Sequence, residues 1–285
     1  MDKVWMDRTY GSVFEPTLPG TGGSTSFRYD DCDPELNGHG GGVIRLQVGG
    51  TLLLNGTVSS DGWTKQQYYA STGGSVWLTV GRLAGTGLVS AKGGLVTVST
   101  PGCGGRVAVY RTAETKAESA FAGVIRANGG SLTAAGSAST SAPGTVYLSY
   151  ADTAEKAGEI VIDNLGGSIV YARDTKAGAV LTSQFGDQPE DFRNATVRLG
   201  TGAGLTINTD LRVKDVSLEA ASAFLVFPMP ETAESAIPVL TISSPEHKHG
   251  RGWLGKVLPD GTGAAPRKTY AYVRWILPGM MVIIR

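Results

Sequence analysis

Three segments of the chain carry nearly the same pattern of residues. Each begins with two glycines and continues as an alternating, β-branched stretch: GGVIRLQV at 41–48, GGSVWLTV at 73–80 and GGRVAVY at 104–110. The second glycines are Gly42, Gly74 and Gly105, so the spacings are 74 − 42 = 32 and 105 − 74 = 31 residues. Alternation with a period of two predicts a β-strand in each segment.

A second pattern follows each of these segments. It reads GTVSSDG at 56–62, GLVSAKG at 87–93 and GVIRANG at 123–129. We call 41–62, 73–93 and 104–129 the first, second and third repeat units. A fixed period of this size that carries strands and no helix is typical of a solenoid or array, in which each unit buries its apolar residues against its neighbours.

The repeat continues with a longer spacing and then becomes less regular. The segment GTVYLS at 144–149 restores the strand pattern 144 − 105 = 39 residues after the third unit. Short strands are predicted at 159–163, 168–171 and 195–199, and an alternating stretch runs from 205 to 218. The end of the chain, 270–285, predicts two strands about Pro278 and Gly279.

The order YGSVFEP at 10–16, then the three glycine-doublet strands and GTVYL at 144–148, resembles glycine-rich repeat regions of large bacterial surface and autotransporter-like proteins, of the kind common in Planctomycetes and Verrucomicrobia. The resemblance covers residues 10–150 well and the remainder loosely. It implies an all-β fold, a right-handed parallel β-helix, in an exported protein. We therefore expect an N-terminal lead-in or cap at 1–40, a parallel β-helix at 41–227 and a C-terminal β cap at 228–285.

Charge and hydropathy narrow the range of partners. Lysine and arginine total 25, as do aspartate and glutamate, so the formal net charge is zero. Nucleic-acid or anionic-membrane binding needs a basic excess or stripe, and neither is expected here. No apolar run is long enough to predict a membrane-spanning helix. The first residues lack the regions of a signal peptide, which leaves a cytosolic protein or the mature part of an exported one; the composition favours an extracellular or cell-surface location.

The segment 63–69 is the main candidate site. In the resembled regions the loop after the first repeat is usually rich in glycine and serine, whereas here it reads WTKQQYY. Aromatic rings offer apolar faces to sugar rings, and amide and ammonium groups donate to hydroxyls. We expect a carbohydrate contact formed by Trp63, Lys65, Gln67, Tyr68 and Tyr69. The alternative is that these rings fold back over the strands as packing.

Other clusters point to no metal or cofactor. The acidic residues Asp30, Asp31, Asp33 and Glu35 lack the spacing of a defined calcium loop. The pair His247 and His249 has no zinc-spaced partner nearby. The two cysteines, Cys32 and Cys103, are either a disulfide or two free thiols.

The leading functional hypothesis is therefore a noncatalytic extracellular structural or adhesive module that contacts glycans, a polysaccharide or another surface protein. No acidic pair stands at equivalent outward positions of successive repeats, as general acid/base catalysis would require. Convergence of Asp163 with Asp210 or Asp215 is the exception that only a structure can test. The alternative is a polysaccharide-active lyase or hydrolase on the same scaffold.

Overall fold

The computed structural model describes residues 11–23, 38–64, 70–97, 101–132, 139–169, 190–207, 209–220, 222–226, 239–243, 272–277 and 280–284. These residues are almost entirely strands and turns, and the helical structure among them is a 3-10 turn at Lys116–Glu118. The strands are, in chain order, β1 (Val43–Leu53), β2 (Thr57–Ser59), β3 (Ser75–Gly85), β4 (Leu88–Ser90), β5 (Arg106–Arg111), β6 (Ala120–Phe121), β7 (Val124–Arg126), β8 (Ser139–Thr140), β9 (Thr145–Ser149), β10 (Glu159–Ile162), β11 (Ser168–Ile169), β12 (Thr196–Leu199), β13 (Gly204–Thr206), β14 (Leu211–Val213), β15 (Asp215–Leu218), β16 (Phe224–Val226), β17 (Val239–Ile242), β18 (Tyr272–Leu277) and β19 (Met280–Ile284).

The glycine-doublet strands are neighbours in one sheet. An eight-stranded sheet has the order β1-β3-β5-β9-β10-β12-β15, and β6 pairs with the end of β3. Ile44 lies opposite Val76, Val76 opposite Val107, and Val107 opposite Val146, all in parallel pairs. These registers equal the repeat spacings, since 76 − 44 = 32, 107 − 76 = 31 and 146 − 107 = 39. The register of β1, β3, β5 and β9 therefore equals the spacing of the glycines that precede these strands.

The second part of each repeat unit forms a smaller parallel sheet, β2-β4-β7, in which Val58, Val89 and Ile125 are aligned. Between this sheet and the first four strands lies one hydrophobic core, called the first core here. Its fully buried members include Val76, Leu78 and Val89. Alternate residues of β3 face inward because side chains in a strand point to opposite faces in turn.

The chain reverses direction after β9. Two tight turns occupy 150–158, with backbone hydrogen bonds from Thr153 N to Tyr150 O (2.9 Å) and from Ala157 N to Ala154 O (3.0 Å). Lys156 has a φ of 56° within the second turn. β10 consequently pairs antiparallel to β9, and β12 and β15 continue parallel to β10. Three of the eight strands, β10, β12 and β15, therefore run opposite to the other five.

The opposite face of the sheet is buried as well. Tyr147 lies opposite Ile160 and points away from the first core, into a second core that includes Val197 and Leu199. The N-terminal segment covers this face of β5 and β9, since the Phe14 ring lies edge-on to Tyr147 at 4.8 Å between centroids. The two cores thus lie on opposite faces of a single sheet, with β5 and β9 buried on both.

The predicted right-handed parallel β-helix is therefore wrong. Such a fold keeps one strand direction and one enclosed core, whereas this molecule is mostly β with parallel and antiparallel pairs in an eight-stranded mixed sheet. The physical cause is the turn at 150–158, which sends the chain back beside β9 instead of around to the next parallel position. The described part of the lead-in, 11–23, lies partly against a sheet face through Val13 and Phe14.

Three smaller sheets complete the described part: β11-β8 and β13-β16, both parallel, and β14-β17-β18-β19. The two strands predicted at the end of the chain are β18 and β19, which pair antiparallel. Within the described ranges, no helix is long and apolar enough to cross a bilayer.

A buried asparagine joins the two halves. Asn164 Oδ1 accepts a hydrogen bond from Gly129 N at 2.9 Å, and its Nδ2 donates to Thr140 Oγ1 at 2.7 Å and to Ser141 O at 3.1 Å. The side chain is almost fully buried. Because its oxygen and nitrogen both have partners, the cost of burying a polar amide is offset.

Candidate functional site

Trp63 lies just after β2, where the first repeat unit ends. Its backbone N–H donates to His39 O at 3.1 Å, and its carbonyl accepts from Ser71 N at 3.4 Å. The preceding residue is also held, because Gly62 N donates to Lys92 O at 2.8 Å. The Trp63 side chain nevertheless keeps 42% of its surface exposed. A fixed backbone with a half-exposed indole presents one apolar surface at a defined place.

The Trp63 ring packs partly against the backbone of Gly38. A Cβ placed on Gly38 would lie 2.9 Å from Trp63 Cε3, so Gly38 passes directly against the indole. Only a residue without a side chain fits this approach. One part of the ring therefore lies against backbone, and the residue as a whole is 42% exposed.

A row of polar side chains, called the polar row here, begins at Asp61, two residues before Trp63, and runs across the three repeat units. Asp61 Oδ1 accepts from Ser90 Oγ at 2.5 Å and from Lys92 N at 2.7 Å. Arg126 Nε donates to Ser90 Oγ at 3.0 Å, and its Nη2 lies 4.0 Å from Asp61 Oδ2. The row thus comprises Ser90 and Arg126 at the ends of β4 and β7, and Asp61 and Lys92 two residues after β2 and β4.

The charges of the polar row act on one another. Burial lowers the pKa of Lys92, the nearby Arg126 guanidinium lowers it further, and Asp61 opposes both effects. The net pKa lies below the usual value for lysine. Hydrogen-bond donors of lysine and arginine suit hydroxyl and carboxylate groups of a ligand.

The structure places one of the five predicted site residues. Trp63 is exposed as described, while Lys65, Gln67, Tyr68 and Tyr69 lie outside the described residues. The carbohydrate contact itself stays a prediction.

Sequence reasoning missed Asp61, Lys92 and Arg126, although the repeats contain the signal. When GTVSSDG, GLVSAKG and GVIRANG are aligned, the sixth position holds Asp61, Lys92 and Asn128. The fourth position holds Ser59, Ser90 and Arg126. The observed register aligns Ser59, Ser90 and Arg126 in the same way. Residues at the same position of successive repeats are neighbours on adjacent parallel strands. The aligned polar positions could therefore have predicted the polar row.

The remaining candidates do not form a catalytic or metal centre in the described part. Asp30, Asp31, Asp33, Glu35, His247 and His249 lie outside it. Among the described residues, no group of three or more histidine, cysteine or acidic side chains is placed to hold a metal ion.

Asp163 and Asp215, one of the two pairs considered for convergence, are not brought together. Asp163 follows Ile162, which lies opposite Leu199, whereas Asp215 lies opposite Thr196. They are therefore four positions apart along the strands, about 13 Å at about 3.3 Å per residue. Asp163 accepts hydrogen bonds from Leu165 N at 2.8 Å and Thr201 Oγ1 at 3.0 Å.

Cys103 is a free thiol. Burial raises its pKa, partly offset by hydrogen bonds with Ala142 and Ser141, so the neutral thiol is favoured. Cys32 lies outside the described residues.

A second charged group lies on the opposite half of the sheet. Arg198 Nη1 is 3.1 Å from Glu159 Oε2, its Nε is 2.5 Å from Glu219 Oε1, and Lys116 also pairs with Glu159. Burial raises the pKa of Glu159, but the hydrogen bonds and charges of Lys116 and Arg198 outweigh it, so the net pKa is lowered. The Glu159 carboxylate is therefore held ionised by Lys116 and Arg198.

No family model, no curated protein and no solved structure matches this chain.

Proposed function

We propose that the chain is a noncatalytic extracellular structural or adhesive module that contacts glycans at the corner formed by Trp63 and the polar row. The observation that carries the proposal is the 42% exposure of an indole whose backbone is fixed on both sides. A large apolar side chain held partly in water gains stability when a ligand covers it.

The neighbouring chemistry fits a sugar. The indole supplies an apolar face for a pyranose ring, and Lys92 and Arg126 supply donors for hydroxyl groups. Asp61 is engaged with Ser90, Lys92 N and Arg126, so it orients the cations of the row. The proposal requires contact and no chemical step.

The test is binding to a polysaccharide array. Replacing Trp63 by alanine, alone and together with Tyr68→Ala, is expected to abolish binding while the melting temperature stays within a few degrees. Leu165→Ala is the matched control, since Leu165 is also an exposed apolar side chain, at 54%, on the reversed half. This control should bind as the wild type does.

Stability decides between contact and packing. Removing a buried aromatic side chain costs about 3–5 kcal/mol. If Trp63→Ala lowers the free energy of unfolding by that amount, the ring is part of the packing and the glycan contact is wrong. Binding that survives Trp63→Ala in a stable protein contradicts the proposal equally.

A further inference from the structure

β1 and β2 are the end strands of their sheets in the described structure. β1 pairs with β3, and β2 pairs with β4, each on one side. Along β3 the inward side chains Val76 and Leu78 are fully buried, while their counterparts Ile44 and Leu46 on β1 are only half-buried. The first repeat unit is thus the exposed end of the first core.

The backbone at this end is prepared for another strand. The first residues of β3, β5 and β9 each donate their backbone N–H to a glycine carbonyl oxygen that precedes the neighbouring strand. These hydrogen bonds are Ser75 N to Gly42 O at 3.0 Å, Arg106 N to Gly74 O at 2.9 Å and Thr145 N to Gly105 O at 3.1 Å. The corresponding amide in the first unit is that of Val43. Successive N–H groups of a strand point to opposite sides, so the Val43 N–H points away from β3. No described residue accepts a backbone hydrogen bond from it.

The glycines give an independent indication. A Cβ added to Gly74 would lie less than 3.0 Å from backbone atoms of Gly41 and Gly42, so glycine is required there by the preceding unit. A Cβ on Gly81 would meet Gly49 O at 2.7 Å and Gly50 O at 2.8 Å.

In the first unit the matching glycines meet no other described residue. Among the described atoms, a Cβ on Gly42, Gly49, Gly50 or Gly56 would have nothing within 4 Å. Gly42 and Gly56 are also not among the glycines with positive φ. Neither the fold nor the backbone conformation therefore requires glycine at these two positions.

We infer that the edge formed by β1 and β2 binds an extended strand of a separate polypeptide, aligned parallel to β1. Its backbone would approach Gly42 and Gly56 as the first unit approaches Gly74 and Gly87. This inference is independent of the glycan contact and goes beyond it. Strand addition of this kind derives its affinity from backbone hydrogen bonds and its specificity from alternate side chains.

The interior of the molecule indicates the chemistry of this partner. Within the molecule, β3, β5 and β9 are each paired on this side with a strand that follows a glycine doublet and carries alternating β-branched or aliphatic residues. A partner strand of the same kind would cover Ile44, Leu46 and Val48, which are half-buried. β1 carries a single charge, Arg45, which lies over the Trp77 ring at 4.0 Å. An alternating strand with a glycine doublet and at most one charge, such as 41–48, therefore fits this edge.

The test uses a fluorescently labelled peptide with the sequence of residues 41–60, the segment that covers β3 in the molecule itself. Its binding to the full chain is measured by fluorescence anisotropy. The variant Gly42→Val/Gly56→Val should bind at least about tenfold more weakly, because its new side chains occupy the space of the incoming backbone. Its melting temperature should equal that of the wild type, since the added atoms meet nothing in the free chain.

Two controls accompany the variant. Ala151→Val adds similar bulk at an exposed turn on the far side of β9 and should bind as the wild type does. A peptide with Leu46→Asp should bind weakly, because it would place an unpaired charge against the apolar row.

Three results would overturn the inference. These are no binding of the peptide to the wild type at about 1 mM, equal binding to the wild type and the glycine variant, or equal binding of the Leu46→Asp peptide. Sedimentation analysis adds one more outcome. If the wild-type chain self-associates and the Gly42→Val/Gly56→Val variant does not, the edge binds a second copy of the chain. This result would contradict binding of a strand from a separate polypeptide.

Discussion

Gly42 and Gly74 occupy the same place in the repeat but should respond in opposite ways to the same substitution. In Gly74→Ala the new Cβ would lie within 3.0 Å of Gly41 and Gly42 backbone atoms, whereas ordinary contacts begin at 3.4 Å. The nearest of these atoms, Gly42 O, would lie 2.1 Å from the new Cβ, so the two backbones must separate locally by about 3.4 − 2.1 = 1.3 Å. The atoms in the way belong to the backbone of a hydrogen-bonded strand, so they cannot rotate aside.

The expected loss for Gly74→Ala is about 3 kcal/mol, the upper end of the usual cost of overpacking. For a chain of this length each kcal/mol shifts the melting temperature by about 2–3 °C, so Tm should fall by about 6–9 °C. Gly42→Ala meets no atom within 4 Å. It should leave Tm unchanged or raise it slightly, because replacing glycine reduces the entropy of the unfolded chain by about 0.4–1 kcal/mol.

The assay is urea unfolding of wild type, Gly42→Ala and Gly74→Ala, followed by circular dichroism. Equal m-values would show that the surface exposed on unfolding is the same, so that the midpoints report stability. The reasoning is refuted if Gly74→Ala unfolds at the wild-type midpoint. It is also refuted if Gly42→Ala loses as much stability as Gly74→Ala, because the first unit would then not be an open end.

Two further predictions concern buried and paired polar groups. Asn164→Ala should cost about 3 kcal/mol, because it leaves the Gly129 amide and other buried groups without their partner; thermal unfolding measures this, and an unchanged Tm would contradict it. Glu159 should make stability depend on pH, because Lys116 and Arg198 lower its pKa in the folded protein. Its contribution to the free energy of unfolding is complete above the unfolded pKa of about 4.3. The contribution is lost as the pH falls through the lower, folded pKa. The difference in Tm between wild type and Glu159→Gln should therefore shrink below about pH 4, and a difference that stays constant from pH 7 to pH 3 would refute the pairing.

The strand register of the first half could be predicted because it is encoded locally. Glycine doublets repeat at the points where neighbouring backbones come close, and alternating apolar residues follow each one. The residues that set the register are therefore the same residues that make the repeat visible.

The reversal could not be predicted by the same reasoning. The segment 150–158 contains no glycine doublet, and its turn uses Lys156 with a positive φ, a conformation that lysine seldom adopts. The second buried face was missed for a related reason. Tyr147 is covered by Phe14, which is 147 − 14 = 133 residues away, and no local pattern reports such a contact.

The candidate site was predicted only at its most conspicuous residue. Trp63 stood out because an aromatic residue replaced the small ones expected at that loop. Asp61, Lys92 and Arg126 were missed because the repeats were interpreted for their apolar positions. The alignment of polar columns becomes informative once the parallel register is known.

The central structural claim is that the sheet reverses between β9 and β10, so that both proposed surfaces belong to the parallel half. Paired cysteines test it directly, in a background of Cys32→Ser and Cys103→Ser. Leu148 lies opposite Glu159, so Leu148→Cys/Glu159→Cys should form a disulfide. Ser149→Cys/Asp163→Cys should not, because these positions are five residues apart along antiparallel strands, about 17 Å. Strands aligned in parallel from Thr145 and Glu159 would bring Ser149 beside Asp163, so a disulfide in the second pair and none in the first would contradict the account.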